Sequence, residues 1–218
     1  MPEYEIKPGD WFAKIVKREG YGDFWRPIFS HAGNKAFRSE CPDPNLLIPG
    51  KKCILPEKEG REESRQSDAR SRFKKKAQKS ELHLVILRPN GQALKSAKYK
   101  LVFHGPGVEG QTVEKKTDGS GAIKCEITPD VDSAILTIEG TEFELKIGHL
   151  EPVDTVKGVQ ARLQNLNYSI AAIDDGAGGA GSPTEAAIRA FQKNNSLADP
   201  EGVAEKATTD KLKQVYGC

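Results

Sequence analysis

The sequence predicts a multidomain α+β chain: a small βααβ unit, an all-β antiparallel sandwich, and an all-α unit of three helices. Three observations carry this expectation. In the last third, Val156, Val159, Gln160, Leu163 and Leu166 fall at helical spacing, and Ile188, Phe191 and Gln192 repeat the idea of an apolar helix face with one glutamine beside it. Upstream the period changes to two, with Tyr99, Leu101 and Phe103 facing one way and Lys98 and Lys100 the other. Between them and the start of the chain, the stretch from Lys58 to Lys79 holds a single large apolar residue, Phe73. A chain of 218 residues, 37% of them hydrophobic, has room for two or three small cores. The boundaries fall at 1–57, 58–80, 81–149 and 150–218.

In the first unit, Tyr4-Glu5-Ile6-Lys7 alternates as a short strand and runs into Pro8-Gly9-Asp10, where Asp10 is placed to cap a helix carrying Phe12, Ile15 and Val16. A second helix is expected from Asp23, with Trp25, Ile28 and Phe29 inward and Pro27 tolerated near the first turn. Ala32 to Pro44 reads as a long connection, and Lys51 to Leu55 as a strand ended by Pro56. The residues Tyr4, Gly9-Asp10, Trp25-x-x-Ile28 and Leu47-x-x-Gly50 ahead of Ile54-Leu55-Pro56 resemble a LysM domain. That resemblance implies binding of N-acetylglucosamine-containing glycans by two loops, represented here by Gly9, Asp10, Trp11, Phe12, Asn45, Leu46, Leu47 and Ile48. Trp11 stands where it either stacks on a sugar or covers the core; Trp25, Phe29 and Leu47 are expected in the core.

The stretch from 58 to 80 is acidic first, at Glu59, Glu62 and Glu63, then basic at Arg70, Arg72 and Lys74 to Lys76. It reads as a solvated tether, or as a basic segment, Arg70 to Lys76, docking on an acidic partner surface or a teichoic-type polymer. In the middle unit, Ile123, Cys125 and Ile127 and then Phe143, Leu145 and Ile147 are expected on inward faces, with Asn90-Gly91 and Asp118-Gly119 as turns, giving six or seven strands. Thr117-Asp118-Gly119-Ser120-Gly121 before a strand is similar to transthyretin-like sandwiches, where such a turn is structural. His104 falls on the lysine face and Cys125 on the inward face, so strand parity argues against a nucleophile–base pair.

In the last unit, Ser182-Pro183-Thr184-Glu185 is a strong helix start, with serine as cap, proline in the first turn and glutamate reaching back. A third helix after Glu205 is expected to bury Leu212, Val215 and Tyr216. Val159-Gln160-x-x-Leu163, Tyr168, Asp175-Gly176, Thr184, Ala187, Phe191-Gln192, Leu197, Gly202, Thr208 and Leu212 resemble the peptidoglycan-binding domain 1 family of three-helix modules. The resemblance implies a recognition face including Tyr168, Asp175, Gly176, Thr184 and Gln192.

Lys and Arg total 33 against 31 for Asp and Glu, so a formal charge of +2 makes no case for nucleic acid or a membrane surface. No run approaches the roughly 20 apolar residues of a membrane helix, and Met1 to Glu5 lacks the marks of a secretory signal. The protein is therefore expected to be cytoplasmic at synthesis, and then to enter a particle or to reach the envelope by a non-classical route. Of four cysteines, Cys41 and Cys53 are the pair that a loop would allow to form a disulfide in an oxidising setting. The four histidines have no ligand-like spacing, no cofactor motif is present, and neither His-Glu-x-x-His nor a transpeptidase cysteine signature occurs. Catalytic and metal residues are accordingly expected to be none.

The three-part order is similar to that of small proteins found with bacterial contractile injection machinery, including type VI secretion and phage-tail-like particles. Two functions follow as expectations. One is a noncatalytic binder of peptidoglycan or a related glycan, using both end units for avidity. The other is a structural or adaptor part docking on baseplate, tail or spike proteins.

Overall fold

The computed structural model describes residues 2–22, 24–58, 79–173, 181–198 and 200–217. They form two compact units, one of residues 1–45 and 49–149, the other of residues 46–48 and 150–218. The amino-terminal unit and the β region, read from sequence as two domains, thus fall in one body. The physical reason is apolar: Trp11 and Ala13 belong to the same buried cluster as the strands of the β region.

In the first body, strands β1 (Glu3–Glu5) and β2 (Lys52–Ile54) pair antiparallel with Tyr4 opposite Cys53. Helices α1 (Phe12–Arg18) and α2 (Trp25–Ser30) follow β1. The connection expected from Ala32 to Pro44 is itself folded, into a 3-10 turn at Ala32–Asn34 and a helix α3 (Lys35–Glu40). Six residues with one buried apolar side chain, Phe37, are too short to show a period. Its tie to the sheet is polar: buried Asn34 donates from Nδ2 to the carbonyls of Ile28 and Ile54 at 2.8 and 2.9 Å and accepts from Ile54 N–H at 2.6 Å. Phe12, Phe29 and Phe37 close the core beneath, with Phe12–Phe29 centroids 4.9 Å apart edge to face.

Asp10 does not cap α1. The cap position is Trp11, which makes no side-chain cap bond. The buried Asp10 carboxylate instead accepts from the Tyr4 hydroxyl at 2.8 Å and Lys7 N–H at 2.9 Å, and pairs with Arg18 at 3.1 Å. Burial, and then the bond to Asp10, hold the Tyr4 phenol above its usual pKa.

The β region comprises β3 (Ser80–Val85), β4 (Lys98–His104), β5 (Gln111–Lys116), β6 (Ala122–Ile127), β7 (Ser133–Ile138) and β8 (Thr141–Lys146). One sheet is the pair β3-β6 and the other runs β5-β4-β7-β8, all antiparallel. Tyr99, Leu101, Phe103, Ile123, Cys125, Ile127 and Leu136 share one buried cluster, as the alternation predicts. Phe143 departs from it. It lies opposite Leu136 yet is 46% exposed, because β8 is an edge strand and a two-stranded cover does not reach across four strands. Asp118 folds the turn before β6 by accepting from Ser120 N–H, Ser120 Oγ and Ala122 N–H at 2.7 to 2.8 Å.

This body contains a close seam between its helical part and its strands. Trp11 is 3% exposed inside the cluster, and Lys14 reaches Asp132 at 2.5 Å while Lys17 pairs with Asp130. Gly9 lies under the His149 ring, where a β-carbon would stand 2.8 Å from Nε2, and Gly148, at φ +78°, has room for a β-carbon only 2.7 Å from the Gly9 carbonyl oxygen.

In the second body, α4 (Val156–Asn165), α5 (Pro183–Asn194) and α6 (Lys206–Tyr216) enclose Val153, Val159, Leu163, Ala187, Ile188, Phe191 and Leu212. Thr155 caps α4 by accepting from Gly158 N–H at 2.9 Å, and Ser182 caps α5 by accepting from Glu185 N–H at 3.1 Å. Gly158 is obligatory in a different way: a β-carbon would sit 1.8 Å from the Pro152 carbonyl oxygen. Arg162 is wholly buried, and its Nη1 donates to the carbonyls of Glu151 and Gly158, each at 2.8 Å. Val215 was expected inside and is 44% exposed. The last turn of α6 is held by Tyr216 instead, whose hydroxyl accepts from Asn165 Nδ2 at 2.8 Å while its ring lies against the Arg162 guanidinium.

Candidate functional site

The duplicated helix pattern of the second body builds two equivalent internal bonds. Gln160 of α4 donates from Nε2 to Thr184 in the first turn of α5 at 3.2 Å. Gln192 of α5 donates to Thr208 in the first turn of α6 at 2.8 Å and to the Val203 carbonyl at 2.9 Å, and accepts from Gly202 N–H at 2.9 Å. Thr184 and Gln192 were expected on a ligand face. They are buried, and their hydrogen-bonding capacity is turned inward to join the helices.

Tyr168 keeps partial access to solvent. Its ring meets Phe191 edge to face at 5.7 Å, and its hydroxyl accepts from Asn194 Nδ2 at 3.2 Å. Asp175 and Gly176 lie outside the described residues. On α5 itself, a shallow groove is lined by Gly181, Glu185, Ala186, Arg189, Ala190 and Lys193. Glu185 accepts from Gly181 N–H and pairs with Arg189, which also donates to the Glu201 carbonyl at 2.9 Å. The Gly181 bond, and then Arg189, hold the Glu185 carboxyl below the usual carboxylate range. The surface therefore offers an aromatic platform, an amide, a fixed carboxylate, a fixed guanidinium and the exposed Lys193. Sequence reading missed the groove, although Glu185, Arg189 and Lys193 stand at successive four-residue intervals on a single helix.

The amino-terminal candidates are placed differently. Gly9, Asp10, Trp11, Phe12 and Leu47 are buried, whereas Leu46 and Ile48 are partly accessible and Asn45 is exposed. Trp11 thus takes the core role of its two alternatives; Gly9 and Trp11 face the seam with the strands while Asp10 and Phe12 turn into the helical part, so the stretch presents no aromatic platform to a sugar. Cys41 and Cys53 are buried thiols and form no disulfide. Burial pushes the Cys53 thiol up to about 12, with the charges of Asp10 and Cys41 acting in the same sense.

His104 Nδ1 meets Glu109 Oε1 at 2.6 Å, and this bond holds the Glu109 carboxyl low. Cys125 is on the inner side of the other sheet and does not join them. Among the described residues no group of three or more His, Cys, Asp or Glu side chains could hold a metal ion, and no helix is long and apolar enough to cross a membrane.

Three short helices, two of them capped at their starts by Thr155 and Ser182, tied through glutamine–threonine bonds and carrying an aromatic and a charged groove on their surface, make up a small module. Residues 153–212 of it match the family described as "Putative peptidoglycan binding domain", so the chain carries a peptidoglycan-binding domain over that span. No curated protein and no solved structure matches the chain.

Proposed function

We propose that this protein is a noncatalytic binder of peptidoglycan that acts at the bacterial cell wall through its second body, with Tyr168, Asn194 and the Glu185–Arg189–Lys193 groove as the contact surface. The observation that carries the reading is the family match over residues 153–212, which coincides with the three-helix core. The chemistry agrees: glycan rings stack on partly exposed aromatics, amides bond sugar hydroxyls, and stem-peptide carboxylates and amines pair with fixed opposite charges. Burial of the Gly9 to Phe12 loop favours one binding end over two.

Cosedimentation of the full chain with purified sacculi tests this reading. Wild type is expected in the pellet, with retention reduced about tenfold by Tyr168→Ala combined with Lys193→Glu, the ~1.4 kcal/mol that one order of affinity represents. Wild type remaining in the supernatant would sink the proposal, and a cleared band in a cell-wall zymogram would remove the word noncatalytic. A second reading, docking within a contractile assembly, is favoured by the same covered loop, since a unit whose glycan loop is occupied is free to serve as a structural part. Co-purification with tail or spike proteins from cells making such a machine would support it.

A further inference from the structure

We infer that the outer face of the four-stranded sheet is an anion-binding surface for a phosphodiester polymer of the cell wall, separate from the groove on α5. The surface is a concavity at the end of strands β4, β5 and β7, and the side chains on its outer face are those of Lys98, Lys100, Glu114, Lys116, Thr137 and Glu139. Its charges do not balance internally. Glu139 is taken by Arg88 at 3.1 Å, and Glu114 lies 3.9 Å from Lys100. Lys98 and Lys116 are exposed and have no ion-pair or hydrogen-bond partner among the described residues, while Lys115, opposite buried Tyr99, belongs to the other face.

The arrangement of these two is specific. Lys98 and Lys116 are direct cross-strand partners in the β4–β5 ladder. Their side chains leave the same face, and opposed like charges at that spacing destabilise a sheet. Strand β5 is an edge strand, so nothing on its far side shares the load. An anionic group seated between the two ammoniums turns the repulsion into two attractions. Thr137, opposite Lys100, adds a hydroxyl donor on the same face. The chain as a whole carries only +2, so this is a local imbalance and not a general basic coat.

The lining selects the anion. All unpaired cations are lysines, which act as compact point charges without the planar fork that reads a carboxylate in two-point register. That suits tetrahedral phosphate, and several lysines in one hollow suit a polymer with repeated phosphates. Duplex nucleic acid carries phosphates too, but it demands a basic footprint broader than one hollow on a nearly neutral chain. The wall source rests on the proposed function, which puts this chain against the polymer.

The test uses the full chain on beads bearing poly(glycerol phosphate), on beads bearing the neutral polyol, and on peptidoglycan stripped of anionic polymer. Wild type is expected on the phosphate beads and not on the neutral ones, with release as salt rises. Lys98→Glu and Lys116→Glu, singly, are expected to lower phosphate-bead retention at least fivefold, and to leave retention on stripped peptidoglycan unchanged. Because either change creates an opposite-charge cross-strand pair, the variants should melt no lower than wild type, which separates lost binding from lost folding. Absence of phosphate-bead binding, unchanged binding in both variants, or tenfold tighter binding to duplex DNA than to the polymer would each overturn the inference. Failure on stripped peptidoglycan alone would count against the proposed function and leave this surface standing.

Discussion

Gln192 donates to the hydroxyl of Thr208 at 2.8 Å just as Gln160, one pseudo-repeat earlier, donates to Thr184 at 3.2 Å. In each case a glutamine in the body of one helix secures the first turn of the next. The repetition in sequence is thus a repeated joint.

Gln192→Leu leaves the Gly202 N–H and the Thr208 hydroxyl without this partner inside the core. The expected cost is about 2 kcal/mol of stability, read as a shift in the urea midpoint. The folded fraction should still pellet with sacculi, since the side chain is buried.

Asp10→Ala removes the acceptor shared by Tyr4, Lys7 and Arg18. With the carboxylate buried and its partners left behind, a loss of about 2–4 kcal/mol is expected in the first body. Urea unfolding followed by tryptophan fluorescence checks it, because Trp11 stands beside the altered residue in sequence.

Cys41 and Cys53 should resist thiol reagents in the native protein at neutral pH and react fully in denaturant. Both are buried, and the Cys53 thiol, pushed up to about 12, carries almost no thiolate. Peptide mass mapping after timed alkylation measures this, and rapid native labelling would contradict it.

The His149 pKa is lowered by desolvation against Gly9 and then by Lys146 and Lys14, with Asp132 opposing. The unfolded chain therefore binds more protons than the folded one just below the ordinary imidazole value of about 6.5. Stability of the first body is fully present above that value and declines as pH falls toward the lowered folded pKa. His149→Gln should flatten the decline that sets in below about pH 6.5, measured as urea midpoints.

Most elements were legible because their signals were local. Ser182-Pro183 announced α5, alternation announced β4 and β6, and the glutamine-bearing apolar faces announced α4 and α5. What was not legible depended on partners distant in the chain. Asp10 has the composition of a cap, and only the proximity of Tyr4 and Arg18 makes it an acceptor hub. Thr184 and Gln192 have the chemistry of a ligand face, and only the packing of α5 on its neighbours turns them inward. Phe143 follows the strand parity of the buried residues, but how far the opposite sheet extends is a tertiary fact. Trp11 could not be assigned until Gly148 and His149 were seen to return to Gly9.

That return has a practical meaning for how the molecule can be divided. With Trp11 sunk among the strands and Lys14 and Lys17 gripping Asp132 and Asp130, the amino-terminal piece is no transplantable cassette: grafted elsewhere, it would strand an indole in water. Two polypeptides, one ending at Lys58 and the other starting at Lys79, should conversely reassemble by complementation when co-expressed, at a concentration set by the affinity of this seam.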